Sequence, residues 1–311
     1  MMSTAKIIVI GSLNADMVVK TPRRPAAGET ITDAQFIIVG GGKGANQALS
    51  AARLGGNVIM IGHVGADDFG SMLINNLSRD GVDISNVRTV KDATTGVAFI
   101  IVDAKGENSI VVAPGANRVW AEEDYRQIEK VLEIAPPGSI ILLQLEIPLD
   151  VVEYAMKKAA DCGHRVALDP APSRPLSDEV FRYVEITTPN EHEASQITGV
   201  EVKDVDSARR AGELLVQKGA RYALVKLGAS GCVIVASDSS EHIPAFAVDA
   251  VDTTAAGDAF AGGLAVALTE GKSVRDAVIF ASAAGALSAT RLGAQSSLPA
   301  RTEVDEFLSS R

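Results

Sequence analysis

Short runs of β-branched and aliphatic residues recur along the chain at Ile7–Ile10, 58–61, Ile140–Leu143, 166–168, 184–187 and 223–225, separated by amphipathic segments long enough for helices. Runs that are apolar at every position, as all of these but 184–187 are, suit strands buried on both faces. Their alternation with helices predicts an α/β fold, a doubly wound, mostly parallel sheet flanked by helices. Ligands in such sheets bind beyond the carboxyl ends of the strands, so Asn14, Glu146, Asp169 and Asn190, which follow these runs, fall at the ligand edge. Residues 17–39 and 96–112 break the alternation. Neither contains a crossover helix, and Asp103-Ala104-Lys105-Gly106 reads as a hairpin turn. Insertions at about 14–40 and 95–114 are therefore expected to form a small β-sheet lid on a single domain spanning residues 1–311. Glu303, Phe307 and Leu308 mark a surface helix near the end.

Composition narrows the partners more than the fold. With 311 residues and 47% hydrophobic content, one large core is affordable. A net charge of -10 argues against nucleic acid or an anionic membrane as the main partner, since both require basic patches. No apolar stretch reaches 18 residues, and Ile7–Ile10 is too short for the core of a signal peptide. Cys162 and Cys232 are far apart in sequence, with neither metal nor redox spacing. A reducing, cytoplasmic setting is expected.

Candidate chemistry concentrates in small-residue segments. In Asp252-Thr253-Thr254-Ala255-Ala256-Gly257-Asp258, the following Phe260, Leu264 and Leu268 set a helical period that starts near Ala256. The first amides of that helix can hold a phosphate, and Asp258 beside a bound anion makes sense as a base that takes a proton from an attacking hydroxyl. An ordinary acidic helix start has the same pattern. Gly40-Gly41-Gly42-Lys43-Gly44-Ala45-Asn46-Gln47 lacks the Ser or Thr that a magnesium-binding phosphate loop needs after Gly-Lys, and suits instead a hydroxyl-rich ligand lying against bare backbone. Asn14 and Asp16 lie on one side of an extended segment and can grip vicinal hydroxyls, although both residue types are also common in turns. Asn190 and Glu193 share one face of a helix start, where Glu193 could orient magnesium through water or act as an N-terminal acid. Lys226-Leu227-Gly228-Ala229-Ser230-Gly231 ends a strand in a glycine turn that could pack on a nucleotide. Arg291-Leu292-Gly293-Ala294-Gln295-Ser296-Ser297 offers carbonyls and hydroxyls suited to a hard cation, or a plain irregular helix end. His63, His164, His192 and His242 are scattered and carry no assigned role.

The two glycine segments together resemble the paired signatures of the ribokinase-like carbohydrate kinase (PfkB) family, in order and separation, and the similarity runs along essentially the whole chain. Gly11 to Asp16, Gln144-Leu145-Glu146, Asn190 to Glu193 and Gly293-Ala294-Gln295 look most like the members that phosphorylate ribose. The resemblance implies ATP-dependent phosphorylation of D-ribose at its 5-hydroxyl, with Asp258 as general base and Ala255, Ala256 and Gly257 as anion hole. It assigns the sugar to Asn14, Asp16, Gly42, Lys43, Asn46, Glu146 and Asp258. On the nucleotide side it assigns Asn190, Gly228 and Gly231, with Lys226, Ala229, Ser230, Gly257 and Ser282 alongside. Glu193 matches an acid linked to magnesium. Asp252, Thr254, Ser288, Arg291, Gly293 and Ser297 match a potassium site, largely through carbonyls. The lid sheet is expected to pair two subunits as a homodimer. Lys226, Ala229 and Ser282 depart from residues common at those positions in the family, which touches the adenine side. A kinase of 2-deoxyribose or of another sugar or nucleoside is the nearest alternative. A dinucleotide-binding dehydrogenase would need a glycine fingerprint where Gly11-Ser12-Leu13-Asn14 stands, and a sugar sensor without catalysis would not need Asp258.

Overall fold

In the computed structural model, which describes residues 5–105 and 108–311, the first half of the chain forms β1 (Ile7–Ile10), β2 (Asn14–Lys20), β3 (Gln35–Gly41), α1 (Lys43–Arg53), β4 (Val58–Gly65), α2 (Asp68–Arg79), β5 (Asp83–Val90), β6 (Gly96–Val102), β7 (Asn108–Ala113), α3 (Glu122–Ile134) and β8 (Ile140–Leu143). There follow α4 (Leu149–Asp161), β9 (Arg165–Leu168), β10 (Ile186–Thr187), α5 (Glu191–Thr198), α6 (Val205–Gln217), β11 (Tyr222–Lys226), β12 (Cys232–Val235), β13 (Ser240–Ile243), α7 (Ala256–Thr269), α8 (Val274–Ala289) and α9 (Arg301–Ser309). Gly106, the last residue of the expected hairpin turn, lies outside the described residues.

Nine strands form the main sheet in the order β13-β12-β11-β10-β9-β8-β1-β4-β5. Pairing is parallel from β10 and β11 through to β5, while β12 and β13 add an antiparallel edge. The alternation of β1 explains the layering. Ile7 and Val9 pack with α1, α7 and α8 on one face, and Ile8 and Ile10 pack with α3, α4 and α6 on the other. Every residue of β1 and β8 is buried, as a strand covered on both sides requires.

The two insertions do form a second sheet, β3-β2-β6-β7, in which β2 pairs antiparallel with β3 and parallel with β6. Its far end exposes Phe36, Ile37, Phe99, Ile110 and Val111. Two other boundaries differ from expectation. The run at 184–187 contributes only Ile186–Thr187, because Val184 terminates the 3-10 turn at Asp178–Tyr183, and 58–61 extends to Gly65.

Helices α1 and α7 are the pair that builds the site. Gly262 in α7 is the reason they approach closely: a Cβ there would stand 2.5 Å from Ser50 Oγ and 2.8 Å from the amide of Ala51, both in α1. The contact brings the first turn of α1 against the first turn of α7. No described helix is long and apolar enough to cross a membrane.

Candidate active site

Helix α7 starts at Ala256, where the pattern of Phe260, Leu264 and Leu268 placed it. The residue before it, Ala255, sits at φ 60°, ψ 6°, a left-handed conformation that costs a non-glycine residue about 1–2 kcal/mol. That turn splays the chain so that the amides of Ala255, Gly257 and Asp258 have no acceptor among the described residues, whereas Ala256 donates to the carbonyl of Thr253 at 3.2 Å. Of the three amides expected to form an anion hole, Ala256 is thus already engaged, and the open donors are its neighbours.

Asp258 is buried, 4% exposed, and its two oxygens are divided between side chains of α1. Asn46 Nδ2 donates to Oδ2 at 2.9 Å and Gln47 Nε2 to Oδ1 at 3.2 Å. Burial pushes its pKa up to about 6. The Lys43 ammonium and the two amide donors oppose that rise, and Asp169 adds to it. Gln47 Nε2 also donates to Asp169 Oδ2 at 3.0 Å, and its Oε1 accepts from Gln144 Nε2 at 2.6 Å. Gln47 is therefore a bracket between two buried carboxylates.

On one side of Asp258 lie the residues assigned to the sugar. Glu146 Oε2 accepts from the amide of Lys43 at 3.0 Å and from Ser12 Oγ, which ties the turn after β1 to the start of α1. Asn14 and Asp16 stand at the root of β2, and Asn14 Oδ1 accepts from Asn117 Nδ2 at 2.8 Å. Asp16 is raised to about 7, first by burial and then by Glu146 and Asp258. For Lys43, burial favours the neutral amine, but Asp258, Asp169, Glu146 and Glu193 outweigh it and hold the pKa above its usual value. Gly42 ends the loop at φ 86°, where any Cβ would come within 2.7 Å of the Asn14 amide, so only glycine lets this backbone lie flush beside β2.

On the other side opens a cleft of about 790 Å³ lined by Ala255, Ala256, Gly257, Asp258, Asn190, Glu193, Lys226, Gly228, Ala229, Gly231 and Ser282. Ser230 does not line it; its carbonyl takes His242 Nε2 at 2.6 Å. The opposite wall, Phe246, Ala247, Val248 and Ala250, carries no motif and could not be found from sequence. Lys43, Asp169 and Asp258 line this cleft as well and mark the junction between its two sides.

Two cation assignments can be tested against the donors present. Glu193 closes a capping box with Asn190, accepting from its amide at 2.8 Å and from Nδ2 at 3.1 Å, so the helix-start reading of this residue is realised. Its pKa is raised, chiefly by burial and then by Asp169, against the pull of Lys226. No cluster of three acidic, histidine or cysteine ligands exists among the described residues. A magnesium ion carried by nucleotide phosphates and reaching Glu193 through water fits this donor set.

At the second site, Asp252 ties two loops together, accepting from the amide of Thr254 at 2.9 Å and of Gly293 at 2.9 Å. The carbonyls of Asp252, Thr254, Arg291 and Gly293 accept no hydrogen bond from described residues. The Ser288 and Ser297 hydroxyls pair at 2.8 Å, and the Arg291 guanidinium turns away to Glu303. Arg291 can therefore serve a cation only through its backbone, and the set of bare carbonyls fits potassium.

Gln47, Asn117 and Asp169 are the polar residues that sequence reasoning left without a role. Asp169 follows β9 at the ligand edge, and Gln47 ends the glycine segment, so both were in view. Asn117 had no signal at all.

Residues 4–301 match the model of the pfkB family carbohydrate kinases. The ribokinase of Haemophilus influenzae is 45% identical over 302 residues, covering 97% of this chain and 98% of that protein. The deoxyribokinase of Salmonella typhi is 38% identical over 304 residues, covering 97% and 98%. Among solved structures, Arabidopsis thaliana ribokinase complexed with ribose and ATP superposes with a TM-score of 0.88 at 32% identity, covering 98% of this chain and 99% of that one. The chain belongs to the pfkB family of carbohydrate kinases.

Proposed function

We propose that the protein transfers the γ-phosphoryl group of ATP to the 5-hydroxyl of D-ribose, giving D-ribose 5-phosphate and ADP. The observation that carries this reading is the position of Asp258. It is a buried carboxylate with a pKa near 6, at the first turn of a helix with open amides, between a hydroxyl-gripping side and a nucleotide-sized cleft. The relative complexed with ribose and ATP is similar over the full chain, which supports the same pair of ligands here.

In this mechanism Asn14, Asp16 and the Gly42–Lys43 backbone hold the sugar, and Glu146 keeps that backbone in place. Asp258 takes the hydroxyl proton as the oxygen attacks the γ-phosphorus, and the open amides of Ala255 and Gly257 face the charge that develops on the phosphoryl oxygens. When bound, magnesium neutralises phosphate charge near Asn190 and Glu193. Potassium would hold the carbonyls of Asp252, Thr254, Arg291 and Gly293 and so steady the loop before α7. The lid, residues 14–40 and 95–114, covers the sugar and excludes water. Its exposed Phe36, Ile37, Phe99, Ile110 and Val111 support pairing with a second copy. Two free cysteines agree with a cytoplasmic enzyme.

Similarity to a deoxyribokinase at 38% identity favours one second reading, 2-deoxyribose as the acceptor. An ADP-release assay across a panel of sugars tests both, because a pocket that hydrogen-bonds a hydroxyl discriminates strongly against its deoxy analogue. Ribose is expected to give the highest kcat/KM. Asp258→Asn is expected to lose about 10²–10⁴-fold in kcat while still binding ribose. Near-normal turnover by that variant would sink the assignment of the base, and a preference for 2-deoxyribose would replace the substrate.

A further inference from the structure

Lys226, the last residue of β11, is placed oddly for a residue of the nucleotide pocket. Its Nζ lies 3.1 Å from Asp169 Oδ1, and a first side-chain carbon on Gly257 would stand only 3.4 Å from it. An ammonium is thus held against the opening turn of α7, where the helix dipole and unpaired amides already make the potential positive. Like-signed fields repel, so this arrangement is unfavourable without an anion. In the structure Asp169, 3% exposed, is the anion that offsets it.

Asp169 does not depend on Lys226 alone. Its other oxygen accepts from Gln47 Nε2 at 3.0 Å, and Thr188 Oγ1 reaches Oδ1 at 3.4 Å. The carboxylate would keep both donors if the ammonium swung away. Lys226 itself retains 16% side-chain exposure and lines the cleft, so it has room to move. A phosphoryl group seated on the amides of α7 would be a second anion within reach of Nζ.

We propose that Lys226 is a catalytic residue for the phosphoryl transfer, its ammonium held by Asp169 until it donates to a non-bridging oxygen of the γ-phosphoryl group. This rests on the kinase reading above. As the sugar oxygen–phosphorus bond forms, the bond from γ-phosphorus to the β,γ-bridging oxygen breaks, and its electron pair leaves on ADP. The hydroxyl proton goes to Asp258. Lys226 neither gains nor loses a proton; it follows charge that spreads over the equatorial oxygens. The role is distinct from packing on ribose or base, because it requires the γ group.

The test is therefore discrimination between two nucleotides, each with magnesium: the non-hydrolysable imido analogue of ATP, and ADP. Lys226→Gln is expected to weaken the analogue by about 10–100-fold while ADP changes by no more than about twofold, as loss of one charge-assisted hydrogen bond to the γ group implies. Lys226→Arg, which keeps the charge, should restore most of the difference. Should Lys226→Gln fail to fold because Asp169 is left buried and unpaired, Asp169→Asn/Lys226→Gln removes both charges and gives the same readout. Equal weakening of both nucleotides, or no weakening of either, in whichever variant folds overturns the proposal. The measurement needs no sugar, so a wild-type protein inactive on pentoses would refute the substrate assignment and leave this readout intact.

Discussion

Gln47→Met isolates what the bracket between the two carboxylates contributes. Methionine is close to glutamine in volume and Gln47 is fully buried, so the change removes donors without opening a large cavity. Asp258 then keeps Asn46 as a neutral donor and loses the one at 3.2 Å. A hydrogen bond to a charged group favours the ionised form by about 1.5–3 kcal/mol. At about 1.4 kcal/mol per pH unit this moves the pKa of Asp258 up by about one to two units. The sign follows from the role of the base. Its active form is the carboxylate, so kcat/KM falls as pH drops through the folded pKa, near 6 in the wild type. In the variant this acid limb should shift to about 7–8. Activity at pH 9 should then exceed that at pH 7 by about twofold to tenfold, a larger ratio than in the wild type. The assay is initial rate of ADP release from pH 5 to 9 at subsaturating ribose. An acid limb that stays near 6 while activity falls at every pH would refute the argument, because it would mean that Gln47 supports packing and not the ionisation of Asp258.

Three further outcomes follow from the same geometry. Asn117→Ala orphans the amide and carbonyl of Leu13 and frees Asn14, so it should cost about 2–4 kcal/mol in urea unfolding and raise KM for the sugar more than it lowers kcat; unchanged KM would detach Asn14 from sugar binding. Ala255→Gly relieves left-handed strain of about 1–2 kcal/mol against about 0.5–1 kcal/mol for the added freedom of glycine when unfolded, a gain of about 0.5–1 kcal/mol at equilibrium. A loss of stability would show that the strain is not there. Replacing potassium by sodium or choline should lower kcat several-fold with little effect on ribose affinity, and an absent response would remove the cation from the Asp252 to Gly293 loops.

The layers of this fold were legible where burial leaves a segment one option. Ile7–Ile10 and Ile140–Leu143 match residue for residue, because four apolar residues too short for a helix can be buried on both faces only as strands. The start of α7 was legible for a similar reason, since its apolar period and its small residues coincide. Strand β13 was not, because four residues with the exposed pattern of Ser240–Ile243 carry no period, and although β12 is as apolar and buried as β1, nothing in its pattern marks it as antiparallel. Within the site, the nucleotide-side motif residues other than Ser230 line one cleft, but the partners that tune Asp258 and Asn14 lie far away along the chain. Gln47 and Asp258 are separated by 211 positions, and Asn117 and Leu13 by 104. Spacing rules act within a turn or a strand, so an amide that bridges two carboxylates across helices leaves no trace in them. The wall from Phe246 to Ala250 is irregular chain, defined only by what it faces.

Strand β2 has Asn14 and Asp16 at its root and Lys20 at its tip, so on the proposed function it is one rod shared by the sugar site and the lid. Seven residues at about 3.3 Å each make a lever of roughly 20 Å, so a tilt that swings the tip by several ångströms displaces Asn14 by only a fraction of one. On that reading the grip of the sugar is mechanically insulated from the opening of its cover. Affinity and residence time become separately adjustable quantities: changes at the fulcrum set how tightly the sugar is held, and changes at the far end set how often the gate swings.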